Sequence, residues 1–169
     1  ILDIKKQTVS GINVTVPFKN TIIPYLDELS EEAKVTQAVN TIYLRNKKVI
    51  GHNTDIEGFE NAINKINFSF NNKKIFILGA GGVVPSIIYA SKKMGSSEIM
   101  ISNRTEKKAE KLQNIFNNIK LIKWGKIPDF DVIINATSLG LNQDDKINID
   151  YSNAGKNKLF YDVIYNPSE

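Results

Sequence analysis

The chain has 169 residues, 41% of them hydrophobic and 24% charged, which suits one domain or two smaller ones with their own cores. It contains no cysteine and a single histidine, His52, which excludes disulfides, thiolate catalysis and metal sites built from cysteines or several histidines. The net charge of +4 comes from dispersed lysines rather than a basic stripe, and no run of about 18 apolar residues occurs. We therefore expect a cytoplasmic protein that binds neither nucleic acid nor a membrane and holds no metal.

The first part of the chain has mixed strand and helix signals. In GINVTVPFK, at residues 11–19, Ile12, Val14 and Val16 alternate with polar residues and predict a half-buried strand, which Pro17 ends. Lys19 follows, and a single lysine beyond a strand end is typical of solvated surface. The pattern further predicts a helix over 24–34, a strand over 39–44, a turn at 45–47 and a short strand at 49–50.

A helix with clear periodicity is predicted next. Its apolar residues recur at helical spacing: Ile56, Phe59, Ile63 and Ile66. Thr54 and Glu57 have the spacing of a capping box, and Asp55 lies in the first turn, where a single acid is typical of a favourable helix-dipole interaction. FSFNNKK, at residues 68–74, breaks the period. We place a domain boundary there, between 1–68 and 69–169.

Apolar strands alternate with helices in the rest of the chain. The predicted strands are KIFIL, EIMIS, KLIKW, DVIIN and LFYDVIY, and the predicted helices span 83–94 and 106–116. Continuous apolar strands separated by helices are typical of a parallel sheet covered on both faces. The sequence therefore predicts an α/β fold with a doubly wound parallel sheet.

A glycine-rich segment, GAGG at residues 79–82, directly follows the first of these strands and opens a helix. Glycines there let the backbone approach a pyrophosphate, and the helix N-terminus attracts it. The third small position of the G-x-G-x-x-G pattern is filled by Val84, so the spacing is only partly met. The alternative is a tight turn without a ligand.

The second strand of this half is followed by SNRT at residues 102–105, where an enzyme that selects NAD usually carries an acid. Arg104 suits a 2′-phosphate instead, because its planar guanidinium forms bidentate, charge-assisted bonds. Lys107 and Lys108 add positive charge nearby. The alternative is that Arg104 is a surface residue and Thr105 caps the next helix.

Two further polar segments follow apolar strands, NATS at residues 135–138 and YDVIY at residues 161–165. The carboxyl ends of parallel strands point the same way, so GAGG, NRT, NATS and YNP, at residues 165–167, are expected at one edge of the sheet. Open α/β sheets bind their ligands at that edge. Each segment alone would also fit ordinary turn residues.

Seven segments in this order resemble the shikimate dehydrogenase family: GINVTVPFK, AVNT, GHNTD, GAGG, NRT, NATSLG and YDVIYNP. They are spread over nearly the whole chain. The resemblance implies an NADP-binding Rossmann-type domain over 69–169 and part of an α/β substrate-binding, catalytic domain over 1–68. It also implies reversible reduction of 3-dehydroshikimate to shikimate by NADPH, on the way to chorismate and the aromatic amino acids, in a cleft between the two domains.

The same resemblance implies that Lys19 and Asp55 are the catalytic residues. Lys19 is the expected proton donor, and Asp55 would orient its ammonium group and bind the substrate hydroxyls. Which of the two transfers the proton stays open. The resemblance adds three substrate contacts: Thr15, Asn40 and Tyr165.

The cofactor contacts implied by the resemblance are Glu31, Gly79, Ala80, Gly81, Gly82, Val83, Asn103, Arg104, Thr105, Lys108 and Val163. The glycine-rich segment would hold the pyrophosphate and the 103–108 segment the 2′-phosphate, with Val163 near the nicotinamide. VVPS, at residues 83–86, departs from the small residues usual in the family after GAGG, although Pro85 suits a first helical turn.

Family members also carry an earlier segment with two substrate-binding serines and a later one with a substrate-binding glutamine. We therefore expect these residues to be the central part of a longer enzyme, with the end of the nucleotide domain missing. Two alternatives are an NAD-preferring quinate/shikimate dehydrogenase, which Arg104 argues against, and a non-catalytic nucleotide-binding module, which Lys19 and Asp55 argue against. The sequence leaves open the oligomeric state, a homodimer included, and the preference for shikimate or quinate.

Overall fold

In the computed structural model of the protein, residues 1–141, 149, 151–152 and 154–164 are described. The chain forms two compact units. The first consists of Ile1–Phe68 together with Pro85–Ala90, and the second of Ser69–Val84 and Ser91–Glu169. Across the described residues, no helix combines the length and the apolar character needed to cross a membrane.

The first unit contains a four-stranded sheet. Its strands are β1 (Gly11–Asn13), β2 (Glu28–Leu29), β3 (Thr41–Arg45) and β4 (Lys48–His52). They lie in the order β1-β3-β4-β2, with β1 and β4 antiparallel to β3 and with β2 parallel to β4. The helices of this unit are α1 (Leu2–Lys5), α2 (Glu31–Thr36) and α3 (Asp55–Lys65), and a 3-10 turn spans Ile23–Tyr25.

The core of the first unit combines residues from helices and strands. Its buried members are Ile4, Ala33, Val39, Ile42 and Val49. Gly51 of β4 lies against this core, and a Cβ atom there would come within 2.5 Å of Leu26 and 2.9 Å of Leu29. The strand therefore packs this closely because the residue is glycine.

The single helix predicted over 24–34 is wrong. The 3-10 turn ends at Tyr25, and the next residue, Leu26, has an extended ψ of 147°. Strand β2 then pairs with Ile50 and Gly51 of β4. A separate helix, α2, begins after Ser30, whose side chain accepts a hydrogen bond from Ala33 N at 3.2 Å. Pairing with a distant strand and a local cap together outweigh the helical pattern of the segment.

The predicted strand through Ile12, Val14 and Val16 is shorter than expected. Strand β1 ends at Asn13, whose partner Thr41 is the first residue of β3. Val14 N still donates to Asn40 O at 2.7 Å, but Val16 is 68% exposed. The alternation therefore continues past the end of the neighbouring strand, where no partner remains to bury Val16.

The second unit is a five-stranded parallel sheet. Its strands are β5 (Lys74–Leu78), β6 (Glu98–Ser102), β7 (Ile119–Leu121), β8 (Val132–Asn135) and β9 (Leu159–Asp162). The helices are α4 (Val84–Lys93), whose residues Pro85–Ala90 group with the first unit, and α5 (Glu106–Ile115). The strand order β7-β6-β5-β8-β9 is that of a Rossmann-type sheet, which confirms the predicted fold class.

Strand β5 lies at the centre of this sheet and is paired on both sides, with β6 and with β8. Residues 75–78 of this strand are at most 1% exposed, as expected for a sheet covered on both faces. The chain runs outward from β5 in one direction to β7 and in the other to β9. The order therefore reverses beside β5, which is the point where open α/β sheets bind ligands.

Candidate active site

The predicted catalytic pair, Lys19 and Asp55, meets in the first unit. Lys19 Nζ donates to Asp55 Oδ2 at 2.5 Å, and the two side chains are 14% and 21% exposed. Lys19 comes from the loop after β1, where its carbonyl accepts from Val39 N at 2.7 Å, and Asp55 is the first residue of α3. The partial burial limits screening by water and still leaves the pair accessible to a ligand.

Asn40, directly before β3, holds the other side of the Asp55 carboxylate. Its Nδ2 donates to Asp55 Oδ1 at 2.8 Å, and its Oδ1 accepts from Thr54 N at 3.0 Å. The Asn40 backbone is itself fixed, because its N–H donates to His52 O at 3.0 Å. Each oxygen of Asp55 therefore has its own donor, so the carboxylate is oriented before any substrate binds.

The predicted capping box of Thr54 and Glu57 is wrong. Thr54 has φ −89° and ψ −7°, a helical rather than extended conformation, and its side chain makes no bond to a helix N–H. Its hydroxyl donates to Asn40 Oδ1 at 3.2 Å instead. The N–H of Asp55 is capped by Asn53, whose Oδ1 accepts from it at 3.1 Å.

Asn53 is a residue that the sequence analysis missed. It is 2% exposed, and its Nδ2 donates to Thr36 Oγ1 at 3.0 Å and to Ser86 Oγ at 2.9 Å, both within the first unit. Asn53 thus fixes the backbone from which the Asp55 side chain extends. The available signal was that asparagine is among the preferred N-cap residues, as is the threonine to which the cap was assigned.

Two other predicted residues of the first unit form no hydrogen bond or ion pair with Lys19 or Asp55 in the described part of the chain. Thr15 is exposed in the same loop as Lys19, and its carbonyl accepts from Phe18 N at 2.8 Å. Glu31 is exposed at the start of α2 and pairs with Lys34 at 2.6 Å, and this hydrogen bond raises the pKa of Lys34. The proposed roles of Thr15 and Glu31 remain predictions.

The glycine-rich segment of the second unit begins at the carboxyl end of β5. Gly79 has φ +113°, and a Cβ atom there would lie 2.5 Å from Ala136 O, directly after β8. Gly79 N also donates to Ser102 O at 2.8 Å, at the end of β6. Only glycine satisfies both the left-handed conformation and the close approach, so this residue joins the ends of three strands.

The residues after Gly79 fit a pyrophosphate. Ala80, Gly81, Gly82 and Val83 lead into the ten-residue helix α4, and the two glycines are exposed. A Cβ atom on Gly81 would meet nothing nearer than Ala136 O at 3.8 Å, so the outer side of the segment is open. The first N–H groups of α4 and its dipole would favour an anion placed there.

Arg104 lies in the segment that follows β6. Asn103 Nδ2 donates to Thr105 O at 2.7 Å and closes the turn, while Arg104, Thr105 and Lys108 are exposed. Within the described part of the chain, the Arg104 guanidinium has no carboxylate or hydrogen-bond partner. Thr105 occupies the N-cap position of α5, although its side chain makes no capping hydrogen bond. The role of Arg104 at a 2′-phosphate stays a prediction.

The last two strands end at Asn135 and Asp162, which are in register with each other. Val163 is half-buried, and its N–H donates to Asn135 O at 3.1 Å. Burial raises the pKa of Tyr161, and burial together with the charge of Asp162 raises the pKa of Tyr151. Tyr165, a predicted substrate contact, lies outside the described residues.

Two protein-family models match the chain, one in each of its halves. Residues 1–42 match the shikimate dehydrogenase substrate binding domain, and residues 60–164 match the shikimate / quinate 5-dehydrogenase family. The chain belongs to the shikimate / quinate 5-dehydrogenase family. The resemblance inferred from the seven sequence segments is therefore confirmed.

Individual members of this family are similar to almost the whole chain in sequence and in structure. Shikimate dehydrogenase (NADP(+)) of Pelagibacter ubique is 58% identical over 169 residues, which is 100% of this chain and 64% of the relative. The crystal structure of shikimate 5-dehydrogenase from Thermus thermophilus, in complex with NADP(H) and shikimate, is 27% identical with a TM-score of 0.85. It aligns over 96% of this chain and 61% of the solved one.

A solved structure with another named activity is also similar to this chain. The ligand-free 5-ketofructose reductase of Gluconobacter sp. strain CHM43 is 32% identical with a TM-score of 0.85, over 96% of this chain and 62% of that one. The chain thus spans a little under two thirds of the length of these relatives. Because the fold hosts more than one reductase, the substrate has to be argued from the site.

Proposed function

We propose that the protein catalyses the reversible, NADPH-dependent reduction of 3-dehydroshikimate to shikimate, on the way to chorismate. The observation that carries the proposal is the Lys19–Asp55 ion pair, oriented by Asn40 and accessible to a ligand. The 58% identity with an NADP(+)-dependent shikimate dehydrogenase supports the choice of substrate and cofactor. On this proposal residues 1–68 serve substrate binding and catalysis, and residues 69–169 bind NADP in the cytoplasm.

The reduction needs a hydride at the ring carbonyl carbon and a proton at the carbonyl oxygen. The nicotinamide cofactor, when bound, supplies the hydride. An ammonium group has three N–H donors, and Lys19 uses one of them on Asp55. The other two are free of Asp55, so Lys19 can hydrogen-bond the carbonyl oxygen and transfer a proton to the developing alkoxide.

Asp55 has two roles in this proposal. It holds the Lys19 ammonium in place through Oδ2, and its oxygens retain lone pairs that can accept hydrogen bonds from substrate hydroxyls. Asn40 keeps the carboxylate from rotating, because it bonds the other oxygen. Thr15 and Tyr165 are proposed to complete the contacts to the substrate.

Cofactor binding is assigned to the carboxyl edge of the second unit. The segment from Gly79 to Val83 would hold the pyrophosphate with backbone N–H groups, and Arg104, with Asn103, Thr105 and Lys108, would hold the 2′-phosphate. The nicotinamide would lie toward Val163, and Glu31 is proposed as an additional contact. The absence of an acid at residues 103–105 favours NADP over NAD.

The test is a turnover assay of the full-length protein that carries this chain, following the absorbance of the reduced nicotinamide. Shikimate and quinate are each combined with NADP and NAD, and 5-ketofructose is assayed in the reducing direction. We expect the highest kcat/KM with shikimate and NADP. Activity confined to quinate with NAD, or to 5-ketofructose, would contradict the proposal, and no turnover with any pair would favour a non-catalytic module.

A further inference from the structure

Asn135 and Asp162 form a hydrogen-bonded pair at the carboxyl edge of the sheet in the second unit. Neither residue is among the proposed substrate or cofactor contacts. They are the last residues of β8 and β9 and lie opposite each other in the parallel register. Asn135 Nδ2 donates to Asp162 Oδ2 at 2.9 Å. Asn135 is 8% exposed, whereas Asp162 is exposed. A core-packing role therefore does not account for Asp162.

Each of the two side chains also closes the turn that follows its own strand. Asn135 Oδ1 accepts from Thr137 N at 3.1 Å and from Thr137 Oγ1 at 2.7 Å. Asp162 Oδ1 accepts from Ile164 N at 2.8 Å. In each turn, the side chain thus accepts a hydrogen bond from the backbone N–H two residues later, and such bonds hold a turn in one conformation. The bond between the side chains joins the two turns.

The hydrogen-bonding capacity of Asn135 is fully used. Its second N–H donates to Leu139 O at 3.2 Å, and its backbone carbonyl accepts from Val163 N at 3.1 Å. Thus Val163 is held by the backbone of Asn135, and Ile164 is held by the side chain of Asp162. The conformation of residues 163 and 164 depends on both members of the pair.

The location of the pair gives it a role in the proposed reaction. The strand order reverses beside β5, so a dinucleotide bound across that point has one half toward β6 and the other toward β8 and β9. Arg104 follows β6 and suits the 2′-phosphate half. The nicotinamide half would then lie beside the turns that Asn135 and Asp162 hold.

Resting on the proposed function, we propose that Asn135 and Asp162 are positioning residues that place the 163–164 backbone against the nicotinamide for hydride transfer. We name this pair the Asn135–Asp162 clamp. Neither side chain donates a proton or touches the reacting carbonyl in this proposal. Hydride transfer depends steeply on the approach of donor and acceptor carbons, so a loosened clamp should slow that step more than it weakens cofactor binding.

The first experiment compares Asp162→Ala with Asp129→Ala in the full-length protein. Asp129 is another exposed carboxylate, at the opposite end of the strands. Its partners are Lys74, the first residue of β5, and Lys158, which directly precedes β9. In the cofactor-free protein, hydrogen exchange of the Ile164 amide should accelerate about tenfold or more in Asp162→Ala, because its acceptor is lost. It should stay unchanged in Asp129→Ala.

The same variants are then tested with 3-dehydroshikimate and with NADPH or deuterated NADPH, in single turnovers for the rate of hydride transfer and in the steady state for kcat. Asp162→Ala should slow hydride transfer about tenfold or more and raise the primary deuterium isotope effect on kcat, while the Kd of NADPH changes less than about threefold. Asp129→Ala should match the wild type. A structural role of Asp162 alone would lower the folded fraction without changing the isotope effect.

A reciprocal exchange tests the bond itself. In Asp162→Asn, the new amide N–H faces an N–H of either Asn135 or Ile164, so one of these two bonds is lost. In Asn135→Asp, two carboxylates face each other and the bond between the side chains is lost. The double variant restores a donor and an acceptor with the positions exchanged. It does not regain the bond to Leu139 O, because an aspartate at position 135 has no N–H to donate. We therefore expect the double variant to transfer hydride faster than Asn135→Asp, in which two carboxylates repel each other.

The outcomes separate the two proposals. Wild-type protein without dehydrogenase turnover would overturn the proposed function and the clamp with it. An active wild type together with normal Ile164 exchange and a normal isotope effect in Asp162→Ala would overturn the clamp alone. A double variant no faster than the slower single variant would do the same.

Discussion

The Lys19–Asp55 site and the Asn103–Lys108 segment differ in whether their charged groups are already hydrogen-bonded within the protein. In the first, both oxygens of Asp55 already have donors within 2.8 Å, and the pair is largely buried. In the second, Arg104 is exposed and has no partner among the described residues. Groups that carry out a reaction need a fixed geometry in advance, whereas a group that recognises a phosphate can leave its bonds for the ligand.

The largest effect is expected from Lys19→Ala. Loss of the proton donor should lower kcat by about 10² to 10⁴-fold while the KM for substrate moves little, because a general acid acts chiefly in the transition state. The control is Lys48→Ala, which removes an exposed lysine that is paired with Glu28 in the same unit. Steady-state kinetics of the two variants decide the point. A Lys19→Ala enzyme with near-normal kcat would remove Lys19 from catalysis.

Asp55→Asn should come next, with a loss of about 10²-fold in kcat, because a neutral amide holds the ammonium of Lys19 less strongly than a carboxylate does. Its matched control is Glu57→Gln, since Glu57 is the other acid in the first turn of α3. Loss of the helix-dipole interaction should lower the free energy of unfolding by ~0.3–1 kcal/mol in both variants. Asp55→Asn should cost more than Glu57→Gln, because it also weakens the ion pair with Lys19. Equal kinetics for the two variants would reduce Asp55 to a helix-dipole acid.

Arg104→Ala tests the other region. A charged hydrogen bond contributes about 1.5–3 kcal/mol, so NADPH binding should weaken roughly 10- to 150-fold. NADH has no 2′-phosphate and should bind almost unchanged. Arg45→Ala is the control, because Arg45 is the other arginine of the chain and lies in the β3–β4 hairpin. Titrations at one ionic strength measure this, since exposed charges are screened. Equal losses for both cofactors would contradict the assignment.

Asn53→Ala is expected to have the smallest kinetic effect and a clear effect on stability. The change leaves the hydroxyls of Thr36 and Ser86 without their donor, which should lower the free energy of unfolding by about 1–3 kcal/mol. It also frees the Asp55 N–H, so kcat should fall about tenfold with little change in KM. Asn53→Ser retains a capping oxygen, and recovery of kcat but not of stability would separate the two roles.

The parallel sheet was predictable because its strands are continuous apolar segments that alternate with helices, a pattern typical of parallel sheets covered on both faces. The meeting of Lys19 and Asp55 was predictable because family motifs mark both residues. The roles of these two residues and of Arg104 stay predictions. By contrast, the segment over 24–34 has a helical pattern, yet β2 forms there because Ile50 and Gly51 offer a strand partner. Such pairing between distant residues is not visible in a local pattern.

The capping of α3 shows the same limit at a finer scale. Threonine and asparagine are both good N-cap residues, and the spacing of Thr54 to Glu57 favoured the threonine. In the structure, Thr54 is held by Asn40 and the cap passes to Asn53, whose amide group is satisfied by Thr36 and Ser86. Partners 14 to 33 positions away thus decide which residue caps the helix. Their approach depends on the tertiary fold.

The contrast between the two regions is tested most directly by measuring kcat/KM for NADPH and for NADH in wild type, Lys19→Ala and Arg104→Ala. We predict that Lys19→Ala lowers both values by the same factor, because proton transfer does not depend on the 2′-phosphate. Arg104→Ala should lower the value for NADPH alone. A Lys19→Ala loss that differs between the cofactors, or an Arg104→Ala loss equal for both, would contradict the division between a preorganised catalytic pair and a phosphate-recognising arginine.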